Sequence, residues 1–69
     1  MESEMTEKTY GVMKVTEREY QTACKLARHG TGLLSEGAYQ TVRYCEGEIF
    51  YRDDVVGFLN AIRAGEKTS

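Results

Sequence analysis

Residues 39 to 64 carry two different periodicities back to back, and any fold for this chain must accommodate both. The first block, Tyr39-Gln40-Thr41-Val42-Arg43-Tyr44-Cys45 and Glu48-Ile49-Phe50-Tyr51-Arg52, is rich in β-branched and aromatic residues and is split by Glu46-Gly47. That composition around a glycine predicts an antiparallel hairpin closed by a short turn. With Glu46 and Gly47 as the turn, Tyr44 faces Ile49 and Val42 faces Tyr51, so Val42, Tyr44, Ile49 and Tyr51 form the inner face. Thr41, Arg43, Cys45, Glu48, Phe50 and Arg52 then form the outer face. A longer turn would split the apolar set, which favours this register. In the second block, Asp53 or Asp54 caps a helix whose Val55, Phe58, Leu59 and Ile62 follow the i, i+3, i+4, i+7 spacing of a core face. Gly65 is expected to end it.

The residues before the hairpin supply a strand and another helix. Tyr10-Gly11-Val12-Met13-Lys14-Val15 alternates imperfectly and is read as one strand that extends the hairpin's sheet. Thr16-Glu17-Arg18-Glu19 is a capping box: the Thr16 side chain accepts from the Glu19 amide while the Glu19 carboxylate reaches back to the Thr16 amide. Loss of such a cap costs about 1 kcal/mol. The helix is expected from Glu17 to His29, stopping at a left-handed Gly30. Its buried stripe is Tyr20, Ala23, Cys24 and Ala27, with Leu26 on the flank. Residues 31–38 are read as a connector in which Leu33 and Leu34 close one end of the core, or become contact residues if exposed.

These elements predict an α+β fold in the order strand, helix, strand, strand, helix (β-α-β-β-α), a small antiparallel sheet with helices on one face. A winged helix-turn-helix is the alternative. Residues 9–65 make the single domain, flanked by flexible tails at 1–8 and 66–69.

Length and charge bound the function. A chain of 69 residues has a small core, and it lacks the usual staples: Cys24 and Cys45 form no CxxC, and His29 is the single histidine. The two cysteines are read as reduced small hydrophobes, neither with a function. Self-association is expected to substitute, as a homodimer through Gly57, Ala61 and Ala64 on one face of the last helix. A glycine inside a helix costs about 1 kcal/mol relative to alanine and suggests that another backbone comes close there. The net charge of −2 is uneven, since Glu2, Glu4 and Glu7 sit in the tail and the rest of the chain is near neutral. That balance argues against a main affinity for phosphate backbone. No apolar run approaches a membrane span, so a cytoplasmic location without membrane contact is expected.

No catalytic constellation is present in the sequence. His29 has no nucleophile and orienting group placed beside it, Asp53 and Asp54 suit a helix amino terminus, and the glycines do not follow a phosphate-loop spacing. Neither an enzyme nor a cofactor nor a metal site is expected. The unexplained residues are aromatic. Tyr39 and Phe50, with Arg43 and Arg52 beside Phe50 on the outer hairpin face, have the composition of an interface hot spot and are the candidate partner-binding residues. Equally, Arg43 and Phe50 can be a cross-strand pair that covers sheet surface.

The run from Arg43 to Leu59 resembles the wing and final helix of small excisionase-type DNA-binding proteins, where a hairpin with a glycine turn runs into an acidic-capped helix. That resemblance implies DNA binding, with Arg43 and Arg52 touching phosphate from the wing. In size and charge the chain is also similar to small phage proteins that inhibit host machinery, anti-CRISPR proteins among them, which implies action by covering a surface. The expectation is a non-enzymatic protein that binds and inhibits or regulates a macromolecular partner, a protein in the first instance and nucleic acid in the second.

Overall fold

The computed structural model describes residues 8–30 and 33–68. Two short strands precede three helices: β1 (Thr9–Tyr10), β2 (Val15–Thr16), α1 (Glu17–His29), α2 (Leu33–Cys45) and α3 (Arg52–Thr68). The class is α+β as expected, but the order of elements is not. The described residues hold one sheet, of two antiparallel strands, with Thr9 opposite Thr16 and Tyr10 opposite Val15.

The single strand expected over residues 10–15 is instead a tight hairpin. Gly11 has a φ of +65°, and the Lys14 amide donates to the Gly11 carbonyl at 3.1 Å, so the chain turns back on itself within four residues. Glycine is required there twice over. Its φ is in the region that side chains disfavour, and a Cβ would fall on the Tyr44 hydroxyl. That hydroxyl accepts from the Met13 N–H at 2.9 Å and pins the hairpin to α2.

In α1 the capping box forms as read, with Glu19 N–H to Thr16 Oγ1 and Thr16 N–H to Glu19 Oε1 both at 3.1 Å. Ala23 is buried, and Leu26 and Ala27 pack against the core. The end differs: Gly30 is extended, with a φ of −77°, and its amide donates to the Leu26 carbonyl at 2.8 Å. Before the sheet, Lys8 is the one described residue of the expected acidic tail; its carbonyl accepts from Glu17 N–H at 2.9 Å.

The largest correction concerns residues 33–51. The expected hairpin is a helix, α2, that includes most of the connector, and a loop follows it. Ala38, Thr41, Val42 and Cys45 repeat at helical spacing and line the side of α2 that faces inward. Strand propensity measures fit to a half-buried surface, and a helix face between two other helices supplies one equally well. Thr41, fully buried, satisfies its hydroxyl by donating to the Gly37 carbonyl at 2.8 Å. Glu46-Gly47 is a helix end rather than a hairpin turn. Gly47 has a φ of +78°, its amide donates to the Tyr44 carbonyl at 3.1 Å, and the Glu48 amide donates to the Arg43 carbonyl at 2.8 Å. This is the Schellman arrangement, which satisfies carbonyls at the end of the helix.

Helix α2 packs on α1 on one side and on α3 on the other. Val55, Phe58 and Leu59 of α3 are buried as expected, together with Val15, Ala23 and Ala38, and Ile62 is partly buried against them. Gly65 does not end α3, which continues through the expected frayed residues to Thr68. The close helix approach is at Gly37, where a Cβ would stand 2.8 Å from the Phe58 Cβ and 3.1 Å from the Asp54 carbonyl oxygen. At Gly57, where the first helix, the sheet or a second copy was expected to come close, a Cβ would meet nothing within 4 Å among the described residues of the chain itself. Arg63 locks α3 to the start of α1: its Nε and Nη2 donate to the Glu19 carboxylate at 2.7 and 2.9 Å.

Candidate protein-binding surface

The candidate surface is built on the loop between α2 and α3. After Gly47 the chain runs back along α2, held at one end by the Glu48 amide on the Arg43 carbonyl. At the other end the Tyr51 amide donates to Gln40 Oε1 at 3.0 Å. Gln40 is buried, and its Nε2 in turn donates to Glu36 Oε2 at 3.0 Å, so one amide side chain fixes the loop and a helix turn together. Phe50 turns inward and meets the Tyr44 ring edge-on, with centroids 4.7 Å apart. Its neighbours point away from the core. Ile49 is 85% exposed and Tyr51 70% exposed, on a loop whose backbone is anchored on both sides of them.

Of the residues singled out in the sequence, Tyr39 and Arg43 are brought together, one turn apart on α2. The Arg43 guanidinium lies 5.3 Å from the Tyr39 ring centroid, and its Nε is 3.8 Å from Glu48 Oε1. Tyr39 is half exposed, so this cation–π pair sits beside the loop on the same stretch of surface. Arg52 is exposed at the first residue of α3. Phe50 is not part of the outer face; it supports the loop from below. Ile49 and Tyr51, assigned to the inner face of a hairpin, are its outward residues, and Tyr44 alone of that aromatic pair lies inside. Glu46-Gly47 fits a hairpin turn and a Schellman end alike, and the Schellman end that forms releases the following residues from strand pairing.

Next to Tyr51, the first turns of α2 and α3 enclose an open groove of about 370 Å³. Buried Phe58, Leu34, which is 45% exposed, Glu36, Gly37, Asp53 and Asp54 line it. Gly57 also opens onto it. Further along α3, Ala61 and Ala64 are exposed, and no side chain among the described residues covers Gly57.

Several other ionisable groups serve the fold. Tyr10 donates to Glu17 Oε1 at 2.6 Å, which raises the phenol to about 12 and lowers the Glu17 carboxyl. Tyr20 donates to Glu46 Oε2 at 3.0 Å, and its phenol is raised in the same way. Cys24 and Cys45 are free thiols, both partly buried; burial pushes Cys45 up to about 12, with the neighbouring Cys24 adding to the shift. The exposed position expected for Cys45 beside a hairpin turn is replaced by one on the inward side of α2. Among the described residues no group of three or more His, Cys, Asp or Glu side chains is placed to hold a metal ion. No helix of the described residues is long and apolar enough to cross a membrane.

Within the run from Arg43 to Leu59 that carried the likeness to an excisionase wing and final helix, residues 43–51 form a helix end and a loop in place of a two-stranded wing, and α3 begins at Arg52. Comparison of the chain with protein-family models, curated proteins and solved structures gives no match.

Proposed function

We propose that this chain is a non-enzymatic binding protein that docks on a protein partner through the α2–α3 loop and the adjoining face of α2, and regulates or inhibits that partner by covering its surface. The observation that carries this is the anchored loop presenting Ile49 and Tyr51 to solvent. Exposing large apolar side chains on a loose segment would require ordering them on binding, at about 0.5–1.5 kcal/mol per side chain. Here the backbone is fixed beforehand by Arg43 and Gln40, and Phe50 plugs the loop from below. Tyr39 and Arg43 extend the surface with an aromatic and a cation, the residue types that dominate binding hot spots. Covering a surface needs no catalytic group, which is the mode of action that the likeness to small phage inhibitors implies.

The test is capture of partners from lysate with nuclease treatment in parallel, followed by substitution. Tyr51→Ala and Ile49→Ala should each weaken capture by about 2 kcal/mol or more, as truncation of a hot-spot residue does, with the helical circular dichroism unchanged. Salt should matter only modestly. A tight complex with plain duplex DNA that falls away steeply between about 50 and about 200 mM salt would refute the protein-partner reading in favour of phosphate recognition.

A further inference from the structure

We infer that Cys24 of α1 and Cys45 of α2 are a redox pair, two thiols that close to a disulfide under oxidising conditions and reopen on reduction. Read singly, each is a small hydrophobe. The fold adds to that reading, because it brings the two from separate helices to one end of the α1–α2 interface.

Contacts at both ends give the register of the two helices. At one end the Tyr20 hydroxyl donates to Glu46 Oε2 at 3.0 Å. At the other, a Cβ on Gly30 would stand 3.4 Å from the Ser35 Cβ. The helices therefore run antiparallel, and counting inward from Tyr20 and Glu46 puts Cys24 level with Val42. Cys24, Val42 and Glu46 line one open cleft of about 250 Å³, together with Tyr20 and Ala27. Cys45 lies between Val42 and Glu46 in the chain, about 4.5 Å along the axis from the level of Cys24, and packs against the core from the inward side of α2. Ala23 of α1 and Ala38 of α2 are both fully buried, small side chains that favour the short end, about 8 Å, of helix packing distances. The electrostatics agree with this placement. After burial, Cys24 is the largest influence raising the Cys45 thiol, and the Tyr20 phenol, raised first by its bond to Glu46, feels Cys24 as well.

The two thiols are not equivalent. Cys24 opens on the cleft, whereas burial pushes Cys45 up to about 12. The thiolate is the attacking form, so Cys24 reacts first with a low-molecular-weight disulfide, RSSR, of which oxidised glutathione is an example. Its sulfur bonds to one sulfur of RSSR as the S–S bond breaks, and the other half leaves as RSH with the proton that Cys24 gives up. Cys45 then attacks the Cys24 sulfur of the mixed disulfide and displaces a second RSH, to which its own proton passes. Both protein sulfurs are oxidised, and the two electrons end in two molecules of RSH. Nearness makes the second step effectively unimolecular, which offsets the low thiolate content of Cys45. The bond staples α1 to the last turn of α2, from which the α2–α3 loop departs. It supplies the covalent link that a core this small otherwise lacks.

The experiment incubates the native full chain in glutathione buffers of graded ratio, quenches with N-ethylmaleimide and measures the mass of the product. Under excess oxidised glutathione the monomer should lose both free thiols and yield a Cys24–Cys45 linked peptide on digestion, and reduced glutathione should reverse this. The oxidised chain should melt higher by about 10 °C or more, as closing a loop of this length predicts. Cys45→Ala should stop at the Cys24 mixed disulfide, while Cys24→Ala should stay unmodified. If Cys45→Ala fails to fold, the wild-type product and Cys24→Ala decide the matter. Thiols that stay free in the native chain, a mixed disulfide as the wild-type end product, or a bond that joins two copies would overturn the inference. So would a linked peptide that forms only in denaturant. None of these results touches the α2–α3 loop, whose role stands or falls on capture by Tyr51→Ala.

Discussion

Replacing Glu19 with glutamine should remove about 2 kcal/mol of stability, because this one carboxylate joins two ends of the fold. Its side chain is 7% exposed and accepts from Arg63 Nε at 2.7 Å, from Arg63 Nη2 at 2.9 Å and from the Thr16 amide at 3.1 Å. Breaking a fully buried pair costs about 3–5 kcal/mol. Arg63, however, is 41% exposed and can turn to water, which reduces the figure to about 2 kcal/mol. Glutamine retains the capping box, so the change isolates the charge. In a domain of this size the loss corresponds to a melting temperature lower by about 10 °C. The pH dependence provides a second readout. Hydrogen bonds from Arg63 hold the Glu19 carboxyl below its ordinary value of 4.5. A depressed carboxyl contributes stability that is present above its unfolded pKa and lost as pH falls through the folded one. Wild-type stability should therefore decline below about pH 4.5 more steeply than that of Glu19→Gln, as followed by urea unfolding at successive pH values. A variant within about 0.5 kcal/mol of wild type, with the same acid limb, would refute the assignment of Glu19 and Arg63 as the lock between α1 and α3.

Gly37 and Gly57 should respond in opposite directions. Gly37→Ala should destabilise by about 1–3 kcal/mol through overpacking against Phe58, while Gly57→Ala should stabilise by up to about 1 kcal/mol in the same thermal melts. Cys45, with its thiol pushed up to about 12 by burial, should react with iodoacetamide at neutral pH only slowly in the native chain and readily in denaturant. Mass spectrometry of the labelled protein reports this, and rapid native labelling at Cys45 would show that the lower end of α2 opens.

The helical parts of the fold were legible where sequence and structure obey the same local rule. Thr16 and Glu19 mark the start of α1 because a capping box is a contact between near neighbours. Val55, Phe58, Leu59 and Ile62 mark the buried side of α3 because their spacing admits one helical face. Residues 39–51 were not legible, and the reasons are physical. Val42, Tyr44 and Thr41 suit any half-buried surface, and a left-handed glycine after Glu46 serves both a hairpin and a Schellman end. Once a strand is assumed, alternation assigns Ile49 and Tyr51 inward and Phe50 outward, the reverse of what the loop does. Tyr39 and Arg43 were found for a sound reason, an aromatic and a cation without a place in the core, although they meet along a helix. The two-residue strands of the hairpin are too short to show a period, so only Gly11 hinted at the turn.

Half of the fully enclosed apolar residues among those described, Val55, Phe58 and Leu59, come from α3, the last element in the chain. During synthesis at about 5–20 residues per second, Val15, Ala23 and Ala38 therefore emerge well before the side chains that cover them. The earlier helices have only each other to lean on until α3 has been made. Completion of the fold is in this sense tied to the synthesis of α3, and a product truncated before residue 58 would display the uncovered side of α2 to whatever proteases or chaperones the cell provides.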